Sequence, residues 1–146
     1  ANNITWTYIA NASNSGSTTI TIPATAAVGD LAILFDFAWS GNTSITEVVP
    51  TNWTKISGVV VTVGDRSRGT ISYRVLQSGE PGSSVTGQTS SGGSNGRSKV
   101  MLIFRPDASI KTLTIGDNNA ENTGANPSSQ AEIEERRVGK EGRSRW

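Results

Sequence analysis

The feature that most limits the fold of this chain is the alternation of apolar and polar side chains with a period of two. In Leu31–Phe37, the residues Leu31, Ile33, Phe35 and Phe37 occupy one side, and Ala32, Leu34 and Asp36 occupy the other. Successive side chains point to opposite faces of a β-strand, so this period predicts strands. The pattern is found in eight short segments: Ile4–Ile9, Thr18–Ile22, Leu31–Phe37, Val59–Val63, Thr70–Val75, Ser83–Gln88, Val100–Arg105 and Ile110–Ile115.

Turn-forming residues separate these segments. Gly, Asn, Asp and Pro cluster at 13–16, 28–30, 40–42 and 79–82, where positive φ or a fixed φ favours chain reversal. Short strands at this spacing predict an all-β, antiparallel β-sandwich of the jelly-roll type, with seven to nine strands over residues 1–116. Residues 87–95 contain no large apolar side chain and are predicted to form a mobile surface loop.

The composition excludes several kinds of chemistry. The chain has no Cys and no His, which removes thiol nucleophiles, disulfides, Cys- or His-ligated zinc and the Ser-His-Asp triad. We therefore expect a protein that is not an enzyme and has no cofactor. The formal net charge is +1 and the cations are not clustered with aromatic residues, so no nucleic acid is expected as a partner. No apolar run approaches the ~20 residues of a membrane helix, so no membrane partner is expected.

Two acidic positions stand out. Asp36 lies inside an apolar strand, where it either faces solvent or hydrogen-bonds across the sheet with a partner such as Arg74, and a structural role is favoured over catalysis. Asp117–Glu121 is rich in oxygen ligands but lacks the spacing of an EF-hand loop. Asx-rich turns are far commoner than calcium loops, so no metal site is predicted, and calcium at Asp117–Glu121 is the alternative.

Four aromatic residues are the candidates for assembly or ligand contact: Trp6, Tyr8, Trp39 and Trp53. Such rings either cap the open end of a sandwich, which is the favoured interpretation for each Trp, or lie exposed and stack on a sugar. Trp6 and Tyr8 belong to the N-terminal strand. If that strand lies at a sheet edge, it could pair with a neighbouring chain by β-augmentation.

Five short motifs carry a family resemblance. They are Ile22-Pro23, Gly29-Asp30-Leu31, Pro50-Thr51-Asn52-Trp53-Thr54, Tyr73-Arg74-Val75 and Glu80-Pro81-Gly82. In this order the motifs resemble a family of small β-sandwich domains in virion proteins of tailed bacteriophages, over roughly residues 15–105. Asn52 stands where the family usually has Gly, a substitution that keeps positive φ accessible.

The resemblance implies a virion structural protein located in the virion. The leading expectation is a capsid decoration protein that forms a homo-oligomer, binds the major capsid or tail protein, or does both. The alternative is a tail-associated module that binds a receptor or a host glycan. The family motifs are structural, so the resemblance implies no catalytic residues.

The polar tail, residues 117–146, has two interpretations. Its last 13 residues, Glu134–Trp146, resemble the conceptual translation of a sequencing adapter, with Gly142 where that translation carries Cys. The other interpretation is a natural charged arm that docks on a neighbouring subunit. Ser129 and Glu132 have the spacing of a capping box, which is compatible with one short helix that would be marginal on its own.

Overall fold

The structure, a computed structural model, describes residues 3–61, 66–90, 95–110 and 112–114. Seven strands and no helix occur in this part of the chain: β1 (Trp6–Ser15), β2 (Thr19–Thr21), β3 (Leu31–Ser40), β4 (Thr54–Val61), β5 (Ser67–Val75), β6 (Ser84–Thr86) and β7 (Asn95–Pro106). They form a five-stranded sheet in the order β1-β7-β3-β5-β4 and a two-stranded sheet of β2 and β6. All pairs are antiparallel. The predicted all-β, antiparallel fold is confirmed.

The five-stranded sheet is built around β3, which pairs with β7 on one side and β5 on the other. Phe35 is the register partner of both Val100 and Ile71, and Asp36 is the partner of both Lys99 and Thr70. Cross-strand partners share a face of the sheet, so this register assigns every position on the central strands to one of two faces.

The core lies on one face of this sheet, here called the inner face. Ala32, Leu34, Met101 and Ile103 project from it and are fully buried. They pack in one cluster with residues of β2, the following loop and the turns: Ile20, Ile22, Ala26, Trp53 and Leu76.

The two edge strands of the five-stranded sheet, β1 and β4, are irregular. In β1 the register with β7 shifts between Tyr8 and Ala10. In β4 the register with β5 shifts between Lys55 and Val60. Such shifts mark β-bulges or related irregularities that locally disrupt the hydrogen-bond ladder.

Three local predictions were wrong. Ser13–Ser15, predicted as a turn, continue β1 and pair with Val100, Lys99 and Ser98, so the turn comes only at Gly16. Residues 110 and 112–114, predicted within a strand, are not in one.

The third error concerns the predicted surface loop at 87–95. Gln88 is fully buried and Ser90 is nearly so. Gln88 is buried because its backbone supplies hydrogen-bond partners to the buried Asp36 and Lys99. Residues 91–94 lie outside the described residues. The tail positions at which calcium (Asp117–Glu121) and a short helix (near Ser129) were considered also lie outside them.

The predicted positive φ at Asn52 is confirmed. Asn52 has φ 69°, and the Trp53 N–H donates to the carbonyl of Pro50 at 3.0 Å, which closes the turn. This turn directs the Trp53 ring into the core, where the residue is 7% exposed. The interpretation of Trp53 as a core plug therefore fits the structure.

Candidate assembly surface

The second face of the five-stranded sheet, here called the outer face, is mostly apolar and largely accessible to solvent. On β3 it presents Phe35, Phe37 and Trp39, which are 41%, 39% and 39% exposed. The register places the following apolar residues on this face: Trp6, Tyr8, Leu31, Ile33, Phe35, Phe37, Trp39, Ile71, Tyr73, Val75, Val100, Leu102 and Phe104. It also places a few uncharged polar residues there: Asn11, Ser13, Ser15, Ser67 and Ser98. A sheet with one solvated face normally carries polar side chains there, so this sheet has an unusual distribution of polarity.

The described charged side chains of the central strands lie on the inner face and not on the outer face. Among the described residues of β1, β3, β5 and β7, the outer face carries no Asp, Glu, Lys or Arg. The charged side chains of the central strands point to the inner face: Asp36, Arg68, Arg74, Arg97, Lys99 and Arg105. The outer face therefore resembles the buried side of a sheet in both size and polarity of its residues.

The four aromatic candidates separate into three positions. Trp6 and Tyr8 lie on the edge strand β1 and are 37% and 52% exposed. The Tyr8 ring meets Phe104 edge-on, with ring centroids 6.0 Å apart. Trp39 lies at the other end of the outer face, whereas Trp53 lies in the core and is almost entirely buried. Register positions Leu31 and Trp39 are eight residues apart along β3, a length of about 26 Å at ~3.3 Å per residue.

A shallow groove of about 290 Å³ crosses the middle of the outer face. Phe35, Phe37, Ile71 and Val100 form its apolar walls. It exists because Phe37 is flanked in register by Gly69, which has no side chain, and by Ser98, whose side chain is small, so there is space on both sides of the ring. Farther along β3, the Trp39 ring lies over Gly96, where a Cβ atom would overlap Nε1 of Trp39.

Beneath the sheet, the inner face holds a buried ion pair. The Nζ atom of Lys99 donates to Oδ1 of Asp36 at 2.7 Å and to the carbonyl of Gln88 at 2.8 Å. The Gln88 N–H donates to Oδ2 of Asp36 at 2.7 Å. The Lys99 and Asp36 side chains are 0% and 1% exposed. Asp36 thus bonds across the sheet as one of the two predicted alternatives, but its partner is Lys99.

Gly87 is required by the same arrangement. A Cβ atom at this position would overlap Oδ2 of Asp36 and approach Cε of Lys99 to 3.3 Å. The buried pair and the chain at 87–88 are therefore packed too closely for any side chain at residue 87.

Arg74 instead joins three of the motifs that carried the family resemblance. Its Nε atom donates to Oε1 of Glu80 at 3.1 Å, and its Nη1 atom donates to the carbonyl of Asn52 at 3.2 Å. Oε1 of Glu80 also accepts from the Gln77 N–H at 2.7 Å. The motifs around Asn52, Arg74 and Glu80 are thus in contact, and their roles here are structural.

The Gly29-Asp30-Leu31 motif forms a second structural anchor. Asp30 is 1% exposed; its two carboxylate oxygens each accept from Arg105 at 2.9 Å, and Oδ2 also accepts from the Ala27 N–H at 2.8 Å. Burial acts to raise the pKa of Asp30, but the hydrogen bonds from Arg105 and Ala27 outweigh it and hold this pKa below its ordinary value. The hydrogen bond to Asp30 raises the pKa of Arg105.

The described ranges contain no group of three or more acidic side chains arranged to hold a metal ion. They also contain no helix long and apolar enough to cross a membrane. Comparison of the chain with protein-family models, with curated proteins and with solved structures found no match.

Proposed function

We propose that the protein is a structural component of a tailed-bacteriophage virion, and that it decorates the capsid. The single observation that carries the proposal is the outer face, which is free of charge over four strands of the described chain and presents mostly aromatic and aliphatic side chains. Exposed apolar patches of this kind mark protein–protein contact surfaces. A chain with such a face performs its function as part of an assembly.

The phage setting of the assembly is supported by the motif resemblance. The three motifs that meet around Arg74, and the Asp30 anchor, stabilise the turns that connect the strands. Turns held in this way make the domain rigid, which is a property expected of a structural component of a particle. The partners under this proposal are further copies of the chain and the major capsid protein.

Immunogold electron microscopy tests the proposal directly. An antibody raised against the protein is applied to purified tailed particles from the source of the sequence, and peptides of the chain are sought in the same particles by mass spectrometry. Gold distributed over the heads is the expected result. Peptides absent from particles that package the corresponding gene would refute a virion role, and gold confined to tails would refute capsid decoration.

A second candidate, a tail-associated module that binds host glycans, is favoured by the exposure of Trp39 at the end of β3. Exposed rings stack on sugar faces, but Trp39 and Tyr8 lie at opposite ends of the outer face, so they do not form one compact sugar platform. On a glycan array, saturable binding that is lost in Trp39→Ala and retained in Val28→Ala would favour this candidate. Val28 is 60% exposed and belongs to the loop before β3, so it is not on a strand of the sheet, which makes it a suitable control.

A further inference from the structure

We propose that the outer face is covered by the same face of a second copy, so that two five-stranded sheets pack back to back about a two-fold axis. The inference rests on the assembly part of the proposed function and specifies the contact. It does not depend on the virion setting.

The area of the outer face is suitable for a dimer. An aromatic side chain carries roughly 150–250 Å², and Trp6, Tyr8, Phe35, Phe37 and Trp39 are between 37% and 52% exposed. These five rings leave roughly 400 Å² in water, and the aliphatic neighbours bring the apolar area to roughly 600 Å². A stable interface buries about 800 Å² per partner, of which the apolar part is a little over half.

The absence of charge on the described outer face makes it compatible with itself. A two-fold contact brings each side chain close to its own copy or to a symmetry-related neighbour, so any charge near the axis would face a like charge. No described side chain of β1, β3, β5 or β7 on this face has that problem. Sheets pack face to face about 10 Å apart when apolar side chains interdigitate, and the faces of β3 and β7 supply such side chains.

The sequence of residues 115–146 is poor in large apolar side chains. Residues 115–146 contain only four large apolar residues, Ile115, Ile133, Val138 and Trp146, among many Asn, Glu and Arg residues. A second copy, in contrast, offers a matched set of aromatic and aliphatic side chains.

The groove beside Phe37 gives the contact a specific feature. Phe37 projects between Gly69 and Ser98, so one ring protrudes next to a depression of about 290 Å³. In a two-fold arrangement the Phe37 ring of each copy enters the groove of the other, which is a reciprocal contact of the kind that closed dimers use.

Sedimentation velocity of the full chain over about 1–200 µM tests the inference, a range set by the µM or tighter affinity typical of interfaces this size. The expected species has twice the 15.3 kDa mass of the chain. Phe37→Lys places a charge in both halves of the contact and should weaken dimerisation by at least about 100-fold. Val28→Lys, which adds the same charge to an exposed apolar site outside the face, should leave it unchanged. Circular dichroism checks that both variants are folded.

Cross-linking locates the contact. The chain has no Cys, so single variants Ser98→Cys and Val28→Cys each carry one reactive thiol. A short bis-maleimide should join Ser98→Cys into a covalent dimer and leave Val28→Cys monomeric. A monomer at every concentration, a trimer, or a dimer that Phe37→Lys does not weaken would overturn the inference.

These outcomes are distinct from those of the virion test. A monomer found on phage heads would overturn the dimer and leave the proposed function standing. A face-to-face dimer absent from phage particles would do the reverse.

Discussion

Replacing Lys99 by Met should destabilise the protein severely. The side chain of Lys99 is fully buried, and Asp36, its partner at 2.7 Å, is equally inaccessible. Met preserves the aliphatic stem but leaves the carboxylate with a single described donor, the Gln88 N–H, and removes the donor to the Gln88 carbonyl. Removing one member of a buried pair costs about 3–5 kcal/mol. Since a domain is stable by about 5–15 kcal/mol, this loss is a large fraction of the total stability.

The assay is urea unfolding followed by tryptophan fluorescence, with a double-mutant cycle. Asp36→Asn/Lys99→Met removes both charges, so the double variant should be at least about 2 kcal/mol more stable than the sum of the single effects predicts. The matched control is Lys55→Met. Lys55 and Glu47 are also 2.7 Å apart, but their side chains are 34% and 25% exposed, so the loss should be about 0–1 kcal/mol.

The reasoning would be refuted if Lys99→Met cost no more than Lys55→Met, because the two pairs share a distance and differ in burial. Strictly additive single effects in the cycle would also contradict it, since they would show that Asp36 and Lys99 do not depend on each other.

Three further predictions concern positions in the turns and the core. Gly87→Ala should lower the free energy of unfolding by about 1–3 kcal/mol, measured by urea titration, because the new Cβ overlaps Asp36; wild-type stability would contradict this packing. At Asn52, where φ is 69°, Asn52→Ala should cost about 1 kcal/mol in thermal unfolding and Asn52→Gly should cost nothing; equal losses would show that φ is not the reason. Because the pKa of Asp30 is lowered in the folded state, this carboxylate contributes stability above the unfolded pKa of ~3.9 and loses that contribution as the pH falls through the folded pKa. The stability gap between wild type and Asp30→Asn should therefore be full at pH 7 and shrink below about pH 4, and a gap that does not change with pH would contradict the assignment.

The sequence predicted the strands of the central sheet well, because a period of two is a local signal. β3 is the clearest case: its alternation between Leu31 and Phe37 is continuous, and one side is entirely apolar. What the alternation could not predict is which side faces the core. The other side carries Ala32 and Leu34 but also Asp36, which suggests that this second side faces solvent. That side is buried because Lys99, 63 residues away, supplies the opposite charge, and such a pairing leaves no local pattern.

The errors have related physical causes. Ser13–Ser15 have turn-forming side chains, yet they extend β1 because β7 offers a continuous partner, and pairing overrides local preference. Gln88 lies in a polar, glycine-rich stretch, yet it is buried because its backbone serves Lys99 and Asp36. Of the four aromatic candidates, the turn chemistry around Asn52 correctly placed Trp53 at the core, whereas the exposure of Trp6, Tyr8 and Trp39 depends on what lies across the sheet.

The register shifts in β1 and β4 affect how many molecules can join. The unpaired backbone groups of a long, regular edge strand can pair with a strand of another chain, and repeated pairing of this kind produces fibrils. Here the shift after Tyr8 shortens the regular part of β1 to Ala10–Ser15, and the ladder of β4 is broken between Lys55 and Val60. Pairing of further strands is therefore disfavoured at both edges of the sheet. Copies that pack through their outer faces form two layers and no more, so a concentrated solution of the protein should not scatter light from aggregates.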